Sequence, residues 1–155
     1  MATVASRLMS ADEFFDFVHQ AENRDRVFEL ERGEICEMSR PGKLHGLICA
    51  NVVAILMAFA KQRKRGYPCS NDTGVIVERN PDTVRGPDVM FFEDNAKSID
   101  DVDVKFGTTP ASLAVEVLSP NDKPGKLNRR IREVFSFGTP LIWVLDPEVR
   151  SVTVY

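Results

Sequence analysis

Cysteine is scarce in this chain of 155 residues, and none of the spacings between Cys36, Cys49 and Cys69 is that of a paired zinc or redox motif. An odd set of this kind implies reduced thiols that mostly serve packing. The longest apolar run, Leu47 to Ala60, is interrupted by Asn51 and falls short of the ~20 residues that cross a bilayer. It reads as a buried helix rather than a membrane span. No apolar segment of signal-peptide type opens the chain, so a cytoplasmic protein is expected. A glycine-rich phosphate loop is also missing, and Ser119 with the remote His19 makes no convincing nucleophile and base. There is no internal repeat, low-complexity stretch or Pro/Gly-rich linker, which leads us to expect a single domain over residues 1–155. Finally, 20 Lys and Arg against 23 Asp and Glu give a net charge of -3, which excludes a protein that coats nucleic acid by bulk charge. Any nucleic-acid contact has to be local.

What is present is the composition of a globular protein, 43% hydrophobic and 28% charged, enough for one sizeable core. Ser10 and Glu13 form a capping-box pattern before a short helix whose apolar side is Phe14, Phe15, Phe17 and Val18. From Val27 to Met38 two strand patterns flank Arg32-Gly33, the spacing of a β-hairpin. Leu47, Ile48, Val52, Ile55, Leu56 and Phe59 recur at three- and four-residue steps, a helix of about five turns. Lys61, Arg63, Lys64 and Arg65 close it, and Gly66 and Pro68 stop it. Gly74 to Glu78 and Asp88 to Phe92 read as strands joined by the turn Asn80-Pro81-Asp82. Leu113 to Leu118 is a further strand, and the loop from Glu93 to Pro110 is polar and acidic. Beyond Ser119-Pro120-Asn121-Asp122 a basic helix runs from about Pro124 to Phe137 and ends at Gly138. Leu141 to Leu145 is apolar on both sides, as a central strand would be, and Val152 and Val154 belong to a last strand. The chain stops inside that strand, which suggests a trimmed or short version lacking edge structure. The order of elements is α/β with a mixed sheet flanked by helices, preceded by an N-terminal helix and a β-hairpin.

Two strand acids carry the chemistry. Period-two alternation places Asp88 with Met90 and Phe92 on one strand face, and Glu116 on the opposite face from Val115 and Val117. A charged carboxylate on a largely buried strand is costly unless it is neutralised, and a divalent cation shared between two neighbouring strands would do so. Oxygen ligands suit Mg²⁺, which polarises a phosphoryl oxygen and activates water. The same residues are equally consistent with Asp88 capping a turn after Pro87 and Glu116 pairing with an arginine.

Phe28-Glu29-Leu30, Gly33-Glu34-Ile35, Met38-Ser39, His45 at the head of the long helix and Pro87-Asp88-Val89 form one ordered series. It continues with Val115-Glu116-Val117-Leu118-Ser119-Pro120, Gly138, Ile142-Trp143-Val144 and Asp146-Pro147. In order and spacing, from about Leu8 to Tyr155, the chain resembles the Uma family of endonucleases, with the restriction-endonuclease-like PD-(D/E)XK fold. That resemblance implies that Asp88 and Glu116 bind the metal, Mg²⁺ or Mn²⁺. The usual lysine two residues after the strand glutamate is Leu118 here. In the family the lysine looks displaced to the next helix, and aligning back from Gly138 puts Arg130 at its place. Arginine keeps its charge and cannot take up a proton, so it steadies a transition state without doing a lysine's full work. Lys126, four residues earlier on the same helix face, is the alternative cation.

His45 at its family-like position is expected to shape the site or hold a water, unless it is a capping or loop histidine. His45 and Cys49, spaced i, i+4, could give two soft metal ligands but lack two more. Glu29 and Glu34 match acids of the family pattern and are candidates for a further metal contact, or else exposed hairpin residues. The bland reading of Lys123, Lys126, Arg129, Arg130 and Arg132 is a solvated basic face, and the sharper one is a face that meets phosphate. The expected function is a Mg²⁺-dependent endonuclease acting on DNA with water as nucleophile, and a homodimer is compatible with such a fold, although the sequence shows no interface. Its rivals are a catalytically weakened nucleic-acid-binding domain and an interaction module in which both acids are structural.

Overall fold

The computed structural model describes residues 7–94, 96, 98–120 and 122–155; of the loop after the third buried strand, Asn121 lies outside them. Helix α1 (Ala11–Val18) starts where expected, with the Glu13 amide donating to Ser10 Oγ at 3.3 Å and the Ser10 amide to Glu13 Oε2 at 2.9 Å. Strands β1 (Val27–Glu31) and β2 (Glu34–Met38) form the predicted hairpin. Its two turn residues, Arg32 and Gly33, both take positive φ, 51° and 81°, the geometry of a turn that matches strand twist.

The apolar run Leu47 to Ala60 lies within a longer helix, α2 (Lys43–Arg63), whose 21 residues and mean hydropathy of 1.8 over its most apolar window are by length and composition enough to cross a membrane. It is also less buried than the buried, amphipathic helix expected. Val52, Leu56 and Ala60 pack inward, while Leu44, Leu47, Ile55, Met57 and Phe59 face outward and are exposed. The threefold and fourfold spacing was real, but apolar residues occupy both sides of the helix, so spacing alone could not say which side is inside.

Strand β3 (Tyr67–Ser70) begins at the residues expected only to stop α2. Pro68 is tolerated because β3 is the edge of its sheet. Strand β4 (Val75–Glu78) turns through Asn80-Pro81-Asp82 into β5 (Thr83–Arg85), a short strand missed in the sequence, and not directly into β6 (Val89–Phe92). A 3₁₀ turn at Ile99–Asp101 sits within the acidic loop. Strand β7 (Leu113–Val117), helix α3 (Pro124–Phe137), β8 (Ile142–Asp146) and β9 (Ser151–Val154) complete the order as read.

The strands divide between two sheets. One is antiparallel, in the order β2-β1-β5-β4, and the other is mixed, in the order β3-β6-β7-β8-β9 with β7 and β8 parallel. The mixed sheet is covered on both faces. Met90, Ala114, Ile142 and Val144 meet Ile131 and Val134 of α3, while Val89, Phe91, Leu113 and Val115 meet Val52, Leu56 and Ala60 of α2. That double coverage explains why β6 and β7 are buried at every position and why their patterns read as continuous apolar runs. The third cluster, Ala11, Phe14, Leu30 and Val84, seats α1 on the antiparallel sheet.

Ile142 is 1% exposed at the centre of the α3 side. Ile142→Ala should cost about 3 kcal/mol, and lower the melting midpoint by roughly 10 °C. Urea unfolding measures it, and a loss under about 1 kcal/mol would mean that this layer is not the tightly packed core described.

Candidate active site

The antiparallel register of β6 and β7 pairs Val89 with Val115. One step further along the same register, Asp88 falls opposite Glu116 on the sheet face that carries Met90 and Ala114. Sequence alternation had put each acid on a known face; pairing of the strands makes them neighbours. Asp88 Oδ2 accepts the Val117 amide at 2.6 Å, which pins its carboxylate beside the Glu116 residue. Its Oδ1 faces His45 Nε2 at 3.2 Å, brought in from the first turn of α2. Asp88 is therefore no simple turn cap.

Glu116 is 7% exposed and lies 3.3 Å from Arg130 Nη2. The same nitrogen reaches Glu29 Oε1 at 3.2 Å and the Gly86 carbonyl at 3.3 Å, and Arg130 Nε is buried without a hydrogen-bond partner among the described residues. Arg130 thus sits at the acids, as the alignment from Gly138 suggested, and not on the solvated face of α3. Lys123, Lys126, Arg129 and Arg132 do lie on that exposed face. Lys126 lines the mouth of a narrow cavity of about 90 Å³ with Glu116, Asp122 and Arg130. Leu118 is half-buried against the α3 core and offers no cation.

The two hairpin acids part company. Glu29 is 6% exposed, not the solvated residue allowed for, and it joins Arg130 and Arg85. Glu34 is exposed at the start of β2, opposite Glu31, and takes no part in the cluster. Arg85 was overlooked, although it stands three residues before Asp88. It is 3% exposed and clamped by Glu29 at 2.9 Å, Glu133 at 2.7 Å and Glu31 at 3.4 Å, with Arg129 closing on Glu31 from outside. Gly86 is forced by the same crowding, since a Cβ there would come within 2.6 Å of the Asp72 carbonyl.

Electrostatics follow from this geometry. Burial, then Asp88 and Glu29 against the partial relief of Arg130, pushes the Glu116 carboxyl up to about 8. Burial also raises Asp88, and the Val117 amide, His45 and Arg130 pull back without cancelling it. Asp72, in an exposed loop and given no role by the sequence, is raised by burial of its carboxyl and then by Asp88. Burial opposes the charge of Arg130, but Glu116, Glu29 and Asp88 together outweigh it and keep the guanidinium protonated. Cys49 Sγ lies 3.5 Å from His45 Nδ1, giving the order thiol, imidazole, carboxylate. That is no nucleophile triad, because burial, then Asp88 and Asp72, pushes the Cys49 thiol up to about 11.

The sequence profile of Uma2, described as "Putative restriction endonuclease", matches residues 11–155. The chain belongs to the Uma2 family. One solved structure, described as a "putative nuclease belonging to DUF820" from Anabaena variabilis, superposes with a TM-score of 0.77 at 20% identity. The match spans 95% of this chain and 79% of that one and shows the shared restriction-endonuclease-like fold. No curated protein gives a significant match.

Because Glu116 has a folded-state pKa near 8 against an ordinary 4.5, its proton stabilises the fold fully below pH 4.5 and that contribution is lost as pH rises to about 8. Glu116→Gln should therefore be more stable than the parent above pH 5, with a gap that widens to about pH 8 and then levels. Denaturant midpoints across that range test this; a constant gap would show that Glu116 is already ionised in the folded chain.

Proposed function

We propose that this Uma2 protein is a Mg²⁺- or Mn²⁺-dependent endonuclease that hydrolyses phosphodiester bonds in DNA. The observation that carries the reading is a charge imbalance at one point. Glu29, Asp72, Asp88 and Glu116 gather around Arg130, whereas Arg85 is already matched by Glu29, Glu31 and Glu133. Two adjoining strand carboxylates with raised pKa values form a centre short of positive charge, and their oxygen donors fit a hard divalent ion. Asp88 and Glu116 would hold it. When bound, such an ion supplies a Lewis acid for the phosphoryl oxygen and a more acidic water.

The chain's own residues do the rest. His45 and the Val117 amide orient the Asp88 carboxylate, each through a different oxygen. Arg130, permanently charged, steadies negative charge developing on the phosphate and leaves proton transfer to water and the carboxylates. Its Nε, without a partner among the described residues, and the cavity beside it leave donor capacity for an incoming phosphate oxygen. Lys126 at the cavity mouth binds the backbone phosphate next in line.

A second reading rests on Leu118. With no lysine after the strand glutamate and Arg130 engaged by Glu29 and Glu116, the domain would bind nucleic acid and turn it over weakly or not at all.

Calorimetric titration of Mg²⁺ and Mn²⁺, followed by plasmid nicking on the same samples, separates the two. The endonuclease reading expects metal binding and nicking in the parent, and a fall of about a hundredfold or more in nicking for Asp88→Ala, the scale of removing one preorganised charge-stabilising group. Binding without nicking, together with a salt-sensitive DNA affinity that survives Asp88→Ala, would favour the second reading. Absence of metal binding would defeat the first.

A further inference from the structure

We infer that His45, Cys49 and Asp88 form a second metal site, one for a borderline-soft divalent ion such as Zn²⁺ or Co²⁺, which shares Asp88 with the centre proposed above. On α2 alone, His45 and Cys49 are two donors four residues apart. The fold supplies the third by setting the start of β6 against the first turns of that helix. One donor atom from each of the three lies within 4.8 Å of the other two. Tetrahedral zinc with bonds of about 2.0–2.3 Å spaces its ligands about 3.5 Å apart, so closure asks for roughly an ångström of side-chain movement. Cys49 Sγ lies 3.5 Å from His45 Nδ1 and Asp88 Oδ1 3.2 Å from His45 Nε2; these are opposite ring nitrogens, so one ion uses only one of the two approaches and the other has to adjust. The imidazole stands between thiol and carboxylate, and a turn of the ring gives the ion one of its nitrogens.

The donor set decides the class of ion. Sulfur, nitrogen and one carboxylate oxygen suit Zn²⁺ and Co²⁺, whereas Mg²⁺ takes oxygen and keeps its waters. All three residues are half-buried, so solvent can reach the ion and complete its coordination. Asp88 is already oriented by the Val117 amide on its other oxygen, the outer support that metal-binding carboxylates use. On binding, the Cys49 S–H bond is replaced by a sulfur–metal bond and the proton leaves to solvent, with no change of oxidation state.

Sharing Asp88 makes the two sites competitors. Zinc drawn to Cys49 and His45 occupies the carboxylate that the magnesium centre needs, and the expected consequence is zinc inhibition. That consequence rests on the endonuclease reading, whereas the existence of the site does not.

The test is titration of Co²⁺ into the reduced protein, followed by near-ultraviolet and visible absorption. A sulfur-to-cobalt charge-transfer band should saturate at one ion per chain, bleach on adding Zn²⁺, and be absent in Cys49→Ser. His45→Ala should weaken cobalt binding about tenfold or more, the least that loss of a ligand should cost given what outer-sphere losses cost. Glu116→Gln should keep the band, which separates this site from the magnesium centre. Absence of the band in the parent overturns the proposal, as does a band that survives in Cys49→Ser, where circular dichroism shows the fold to be kept. If the protein nicks plasmid with Mg²⁺, micromolar-range zinc should suppress nicking in the parent and spare it in Cys49→Ser; equal suppression in both would overturn the sharing of Asp88.

Discussion

The guanidinium of Arg130, held 3.2 Å from Glu29 and 3.3 Å from Glu116, ties together parts of the molecule that the chain keeps far apart. Glu29 belongs to the antiparallel sheet, Glu116 to the mixed sheet and Arg130 to the helix between them. Each of these groups is costly to bury alone, and each is tolerable because the others are present. Arg85 repeats the device one layer over, with Glu29 from the hairpin and Glu133 from α3. The sheets are therefore joined at this corner by buried charge and, elsewhere, by the apolar contacts of Val75 and Val77 with the α3 layer. Glu29 is the hinge of the arrangement, since its two oxygens serve both arginines.

Buried ion pairs rarely add net stability over apolar packing, so a cluster with more acids than matched cations needs another reason to exist. Raised pKa values on Asp88, Glu116 and Asp72 say that the corner is unsatisfied as it stands. The strain lies in charge rather than in backbone or packing: β6 and β7 are fully covered, and their register is regular up to the point where the acids begin. A corner of this kind is one to which a further positive charge would add stability.

Most of the secondary structure could be read from the residues, because the cues were local. The Ser10 and Glu13 cap, the Arg32-Gly33 turn and the Pro124 start and Gly138 stop of α3 each involve neighbours in the chain. Strands β3 and β5 could not be read in the same way. They are four and three residues long, and Pro68 and the Asn80-Pro81-Asp82 turn mask them with breaker residues. The two site acids were legible because each is a lone charge in a strand of Val, Leu and Phe. Arg85 and Asp72 were not, since an arginine next to a turn and an aspartate in a polar loop have many ordinary reasons to be where they are. Glu29 and Glu34 show the limit most clearly: two similar hairpin acids, five residues apart, end up buried between arginines and exposed to solvent. The packing of β5 and α3 against the hairpin, which brings Arg85 and Arg130 to Glu29 and not to Glu34, distinguishes them.

The exchange of Leu118 and Arg130 for a strand lysine has a structural logic. Position 118 points its side chain into the apolar layer beneath α3, where an ammonium would be stranded. Arg130 reaches the acids from the helix instead, where its Nη2 meets Glu29, Glu116 and the Gly86 carbonyl while its charge is permanent. Moving the cation to the helix also ties its position to the packing of Ile131 and Val134, the residues that fix α3 on the sheet. The cation of the site is thus set by the core rather than by the strand that carries the glutamate.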